Sequence, residues 1–231
     1  MKDVKIKICG ITDLEDARAA VEAGADYLGF ILYPPSKRTV DAATTRAIVA
    51  ALREEGVAGD GALRFVGVFV NESAATMAEL LDRCGLDMAQ LSGDEPPALV
   101  GDPQSPLYGR SYKALRPLSL AEAEAEAEWY LPPEPPSDAP TLLLDAHHPR
   151  LYGGTGQQAD WSVAASLART ISGFVLAGGL TPENVAEAVR RVQPFAVDVA
   201  SGVETLPGRK DHEKVRAFIV NAHQSIKESD E

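Results

Sequence analysis

The stretch of this chain most able to do chemistry is Lys5-Ile6-Lys7-Ile8-Cys9-Gly10-Ile11-Thr12. It reads as a short strand ending on Cys9, a turn at Gly10 and a helix opening at Thr12, because Thr12 and Glu15 have capping-box spacing. A thiol close to the positive end of a helix favours its thiolate. Asp145 is the second candidate. It ends the apolar run Thr141-Leu142-Leu143-Leu144, where a carboxylate serves either as a structural hydrogen-bonding group or as a general acid. Partial burial would raise its pKa and suit the acid role.

Two further places offer anion chemistry. One strand pattern ends in Ala177-Gly178-Gly179-Leu180, followed by Thr181-Pro182-Glu183, a cap with proline at the first helical position. The next strand pattern ends in Asp198-Val199-Ala200-Ser201-Gly202-Val203-Glu204. Bare amides at such turns bind phosphate, and glycine lets the anion approach. Each Gly pair alone is more simply a turn; both at successive strand ends make a stronger case for a phosphate site. Ser36-Lys37-Arg38 is either a solvated basic turn or a source of one cation that binds a carboxylate. Lys7 alternates with its strand neighbours and suits pairing with an acid. Asp198 is either that partner or a group that orients the site.

Some patterns carry less. Gly153-Gly154-Thr155-Gly156 lies in a long Gly-rich loop able to fold over a substrate. Its loose dinucleotide fingerprint is rejected, because the preceding strand has already ended and no acid closes the next one. His147 and His148 are adjacent loop residues rather than a metal pair, and Cys84 is an ordinary semi-buried residue.

These groups need elements to hold them. Strand patterns fall at 4–8, 27–32, 64–70, 87–91, 111–114, 141–145, 173–177 and 195–199. Helical patterns lie near 13–24, 41–55, 73–84, 95–101, 119–129, 160–170, 181–192 and 211–227. Several strands are continuous apolar runs, such as Phe65-Val66-Gly67-Val68-Phe69-Val70, which suits burial on both faces. Eight strand–helix units predict an α/β fold, a closed (β/α)₈ TIM barrel, over 1–231 as a single domain. An open doubly wound sheet is the rival. Residues 54–63 read as a polar connection, and 119–140 as a helical and proline-rich decoration without catalytic role, with Ser119 and Glu122 as a second capping box.

Composition narrows the partners. A net charge of −12 argues against nucleic acid and anionic membranes but not against a small anionic substrate. No apolar run approaches the roughly 20 residues that span a bilayer. The N-terminus lacks a signal-peptide pattern, so a cytoplasmic setting is expected. Cys9 and Cys84 make neither a disulfide framework nor a zinc site. The sequon at Asn71-Glu72-Ser73 would go unused in that setting.

Together these motifs resemble the phosphoribosylanthranilate isomerase family, (β/α)₈ isomerases of tryptophan biosynthesis. Lys7-Ile8-Cys9-Gly10-Ile11-Thr12, Ser36-Lys37-Arg38, Leu144-Asp145, Gly153-Gly154-Thr155-Gly156, Ala177-Gly178-Gly179-Leu180-Thr181-Pro182-Glu183 and Asp198-Val199-Ala200-Ser201-Gly202-Val203-Glu204 carry the resemblance, in family order and nearly end to end. It implies an Amadori rearrangement of N-(5-phosphoribosyl)anthranilate with Asp145 as general acid and Cys9 as general base. Arg38 would hold the anthranilate carboxylate, and Gly178, Gly179, Ser201 and Gly202 the phosphate. Gly153, Gly154, Thr155 and Gly156 would cover the substrate, and Lys7 and Asp198 would support the site. No metal and no cofactor are implied, and the partner is a small phosphorylated substrate. A monomer is the default, with a homodimer possible.

The chain departs from the family where Ser92 stands in place of an expected histidine and where Ala200 precedes Ser201. Two rival functions are weaker. The related isomerase of histidine biosynthesis would show paired phosphate sites and a carboxylate at position 9. A phosphate-binding sensor would not need Cys9, Asp145 and Arg38 together.

Overall fold

A computed structural model describes residues 4–56, 63–132, 134–136, 138–146 and 159–227. Strand and helix alternate along it: β1 (Lys5–Cys9), α1 (Leu14–Ala23), β2 (Tyr27–Ile31), α2 (Ala42–Glu54), β3 (Arg64–Phe69), α3 (Ala74–Cys84), β4 (Met88–Leu91) and α4 (Ala98–Gly101). Then follow β5 (Ser111–Leu115), α5 (Leu120–Tyr130), β6 (Leu142–Leu144), α6 (Trp161–Thr170), β7 (Phe174–Leu176), α7 (Val185–Val192) and β8 (Ala196–Val199). The chain continues through a 3₁₀ turn (Ser201–Val203), β9 (Glu204–Leu206), β10 (Arg209–Lys210) and α8 (His212–Lys227).

The eight parallel strands pair in sequence order, and β8 returns to β1 with Lys7 opposite Asp198. That closure rules out the open sheet. The strands alternate apolar residues between two cores, as the period of two requires. Ile6, Ile8, Leu28, Phe30 and Phe65 face the helices, whereas Tyr27, Val66, Met88, Tyr112, Leu143 and Val175 fill the barrel. Each fully buried side chain of this size contributes about 1.5–3 kcal/mol, so the frame carrying the loops is rigid.

Three local expectations change. Asp13, not Thr12, caps α1: its side chain accepts from the Asp16 amide at 2.9 Å, while the Thr12 hydroxyl donates to Gly208 O at 2.5 Å. α7 begins after a turn in which the Asn184 side chain accepts from Thr181 N at 2.8 Å and donates to Gly179 O at 2.9 Å, so Pro182 is not at its first helical position. The helical half of 119–140 is a member of the ring: α5 buries Ala123 and Ala127, and Tyr130 donates to Glu95 O at 2.6 Å. Ser119 caps it as expected, and Glu122 reaches back to Leu118 N at 2.7 Å. The β9–β10 hairpin was not anticipated. No helix among the described residues is long and apolar enough to cross a membrane.

Candidate active site

One cavity opens among the loops that follow the strands, about 870 Å³ in volume with its open mouth included. Cys9, Arg38, Asp145, Gly178, Gly179, Asp198 and Ser201 all line it, brought together from five separate strand–loop junctions.

Cys9 ends β1 and is 5 % exposed. Its register partner on β2 is Gly29, and a methyl group there would fall 2.7 Å from the Cys9 sulfur. Glycine at that position is what gives the thiol room. The expectation of a favoured thiolate is corrected. Burial pushes the Cys9 thiol above its ordinary 9.0; Lys7 and Lys210 pull it down, and Asp198 adds to the upward push. The first turn of α1 carries Glu15 and Asp16, so that helix end does little to help an anion.

Lys7 points into the barrel as expected and bonds Asp198 at 3.0 Å, with side chains 1 % and 9 % exposed. Burial pulls the Lys7 ammonium down, but Asp198, Cys9 and Tyr112 outweigh it, so Lys7 stays charged. Burial also pushes the Tyr112 phenol up, leaving it a neutral donor to Gln90 Oε1 at 2.9 Å. Gln90 donates onward to the Ser92 hydroxyl at 3.1 Å, so the departure at Ser92 still contributes to the cavity wall.

Asp145 is partly buried just past β6. Burial raises its carboxyl from the usual 3.8 to about 6, against the Ala146 amide that donates to Oδ1 at 2.8 Å. A carboxyl with that pKa holds its proton to about pH 6, well above the usual carboxylate range, and can still give it away.

Arg38 reaches the cavity but is not free. Its Nε bonds both oxygens of Glu204, at 2.9 and 3.0 Å, and its Nη2 bonds Oε2 at 2.9 Å. Among the described residues Nη1 has no hydrogen-bond partner, so the Nη1/Nη2 edge remains for a ligand. Lys210 sits behind Glu204, with its ammonium on Cys9 O at 2.6 Å, Ala200 O at 3.3 Å and Glu204 Oε1 at 3.0 Å. Burial lowers the Lys210 pKa, and Glu204 opposes that pull. Sequence reading passed over Glu204 and Lys210 as site residues. The signal was the Pro207-Gly208 pair between them, a turn mark that folds the two side chains onto each other.

The turns at Gly178–Gly179 and Ser201 stand side by side on the wall. The 3₁₀ turn begins at Ser201, where the first N–H groups have no acceptor within the turn. Gly202 lies against the neighbouring loop: a Cβ there would sit 1.9 Å from Leu180 O. The expected cover Gly153, Gly154, Thr155 and Gly156, with His147 and His148, lies outside the described residues. Among the described residues no cluster of three His, Cys, Asp or Glu could hold a metal.

A carboxylic acid, a thiol and a guanidinium edge on one cavity can donate a proton at one atom of an anionic ligand and remove one at another. The comparisons with known proteins agree with such chemistry. The family model described as N-(5'phosphoribosyl)anthranilate (PRA) isomerase matches residues 6–221. A relative from Trichlorobacter lovleyi, N-(5'-phosphoribosyl)anthranilate isomerase, is 43% identical over 223 residues, covering 96% of this chain and 100% of its own length. Monomers of the dimeric phosphoribosylanthranilate isomerase from Thermotoga maritima superpose with a TM-score of 0.75 at 36% identity, over 95% of this chain and 98% of theirs. A phosphoribosylanthranilate isomerase in complex with reduced 1-(o-carboxyphenylamino)-1-deoxyribulose 5-phosphate superposes with a TM-score of 0.74 at 35% identity, over 95% and 98% of the two chains.

Proposed function

Because this chain belongs to the N-(5'-phosphoribosyl)anthranilate isomerase family, we propose how its own residues divide the work of that reaction. The chain is an aldose–ketose isomerase of tryptophan biosynthesis. Asp145 is the general acid. Its proton goes to the ribose ring oxygen, the C1′–O bond breaks, and the anilino nitrogen lone pair forms a C1′=N⁺ double bond. Cys9, as thiolate, then takes the C2′ proton, and the C–H electrons form C1′=C2′ while the nitrogen regains its pair. The resulting enolamine becomes the ketone by losing the 2′ hydroxyl proton and gaining one at C1′.

The observation that supports this assignment is the shared cavity of Cys9 and Asp145, with the free edge of Arg38 and the Gly178–Gly179 and Ser201 turns on the same wall. Arg38 holds the substrate carboxylate, and Gly178, Gly179, Ser201 and Gly202 hold the phosphate. The two proton-transfer groups typically contribute about 10²–10⁴-fold each. Lys7 is the positive charge that lowers the Cys9 thiol most, and Asp198 keeps Lys7 in place.

One chain supplies every residue of this site, so a single-domain monomer suffices; light scattering of the purified protein tests it. A mechanism built on a free thiol suits a reducing, cytoplasmic compartment.

The direct test follows the fluorescence decay of phosphoribosylanthranilate generated in situ, with wild type, Cys9→Ala, Asp145→Asn and a blank. Fast decay with wild type alone is expected. Near-wild-type kcat in either variant would remove that residue from its role, and decay no faster than the blank with folded wild type would remove the function.

A further inference from the structure

We propose that Glu204 is a positioning residue that aims Arg38 at the substrate carboxylate, and that Lys210 holds Glu204 for that purpose. The proposal rests on the carboxylate-binding reading of Arg38 given above. Glu204 grips the Nε/Nη2 edge of Arg38 through contacts of 2.9–3.0 Å, which fixes the plane of the guanidinium as well as its place. The opposite edge is thereby held ready as a second fork. Glu204 itself cannot swing: Oε1 also accepts from Lys210 Nζ at 3.0 Å and from Gly208 N at 3.2 Å.

Lys210 is equally fixed, because its three contacts on Cys9 O, Ala200 O and Glu204 Oε1 use all three of its N–H bonds. Its side chain is 0% exposed and that of Glu204 4%. One ammonium therefore ties together the strand end carrying the thiol, the loop before Ser201 and the carboxylate behind Arg38. Two cations share one carboxylate in this cluster, so it carries a net positive charge, which a ligand carboxylate on the free edge of Arg38 would neutralise.

The test is a double-mutant cycle of Glu204→Gln and Arg38→Ala. Calorimetry reads binding of reduced 1-(o-carboxyphenylamino)-1-deoxyribulose 5-phosphate, the compound held by the solved relative, and separately of inorganic phosphate. Glu204→Gln should weaken the carboxylate-bearing compound about tenfold and leave phosphate unchanged, with KM raised about tenfold and kcat within about twofold. On the Arg38→Ala background it should add nothing, because it acts through Arg38. Glu204→Asp, which keeps a charge beside Lys210 but retracts it from Arg38, should show the same split and serves where the glutamine variant does not fold. Additive losses, equal loss of phosphate binding, or unchanged KM in a folded variant would overturn the proposal. If Arg38→Ala weakens the compound and the Glu204 variants do not, only the positioning role falls. If Arg38→Ala changes nothing, the carboxylate reading of Arg38 falls with it.

Discussion

Lys7 Nζ lies 3.0 Å from Asp198 Oδ1, across the seam where the last barrel strand closes on the first. Removing one partner leaves the other buried and uncompensated, which typically costs about 3–5 kcal/mol. Lys7→Met should lower stability by that order and also cut kcat, because Cys9 loses the cation that lowers its thiol most. Adding Asp198→Leu should restore much of the stability but only part of the rate, because it also removes the negative charge that pushes the Cys9 thiol up. Chemical denaturation beside steady-state kinetics separates the two effects; full recovery of kcat in the double variant would contradict the electrostatic role of Lys7.

The pH profile of kcat/KM should be broad and flat-topped. With Asp145 as acid and Cys9 as base, activity would need Asp145 protonated, with its pKa of about 6, and Cys9 ionised, with its pKa above the ordinary 9.0. Below about pH 6 the thiolate falls tenfold per unit while Asp145 is already protonated. Between the two values one fraction rises as the other falls, so their product is constant. Above the Cys9 pKa the rate falls again as Asp145 loses its last protons. The free enzyme in the active protonation state is then a minor fraction of the total. Ultraviolet titration of the thiolate in a Cys84→Ser background checks the assignment; a Cys9 thiolate already formed at pH 7 would sink it.

Asp145→Asn should lose turnover and gain stability. The folded protein binds this proton between the usual 3.8 and about 6, where the unfolded chain releases it. Wild type therefore loses stability as pH rises through that window. The variant should be more stable than wild type at pH 7 by on the order of 3 kcal/mol, with the gap closing as pH falls below that window. Thermal melts at the two pH values decide it, and a pH-independent gap would count against the raised pKa.

Gly29→Ala should be a kinetic lesion rather than a binding one. Its methyl would fall 2.7 Å from the Cys9 sulfur and displace the thiol from its place. A misplacement on the order of 1 Å costs about 10²-fold in rate. Phosphate affinity, set by other loops, should not change. Wild-type kcat in Gly29→Ala would show that the thiol does not need this position.

The eight barrel strands were legible because several are short continuous apolar runs, which burial on both faces enforces, and the others alternate with helical patterns at a regular spacing. Cys9, Asp145 and the Gly178–Gly179 turn were legible because they end such runs. The β9–β10 hairpin was not: three and two residues, mostly polar, carry no periodic signal. Glu204 and Lys210 carry no sequence signal of burial, since only packing against β1 and Arg38 buries them. Cys9 was misjudged for the same reason. A helix start is visible locally, but the burial that dominates its pKa exists only once the barrel is assembled. Arg38 read as a lone cation because its carboxylate lies 166 positions away.

The Lys7–Asp198 contact joins residues 191 positions apart, and Lys210 meets Cys9 across 201. During synthesis, at roughly 5–20 residues per second, β1 would wait about 10–40 s after leaving the ribosome before β8 exists to pair with it. Through that interval its outer edge is an unpaired template, the kind of edge that seeks other strands. A nascent chain lacking its last quarter has the thiol but neither the acid–base seam nor the clamp around Arg38, so it can neither turn over nor hold substrate. The activity switches on only as the barrel closes, which makes turnover itself a report of complete folding.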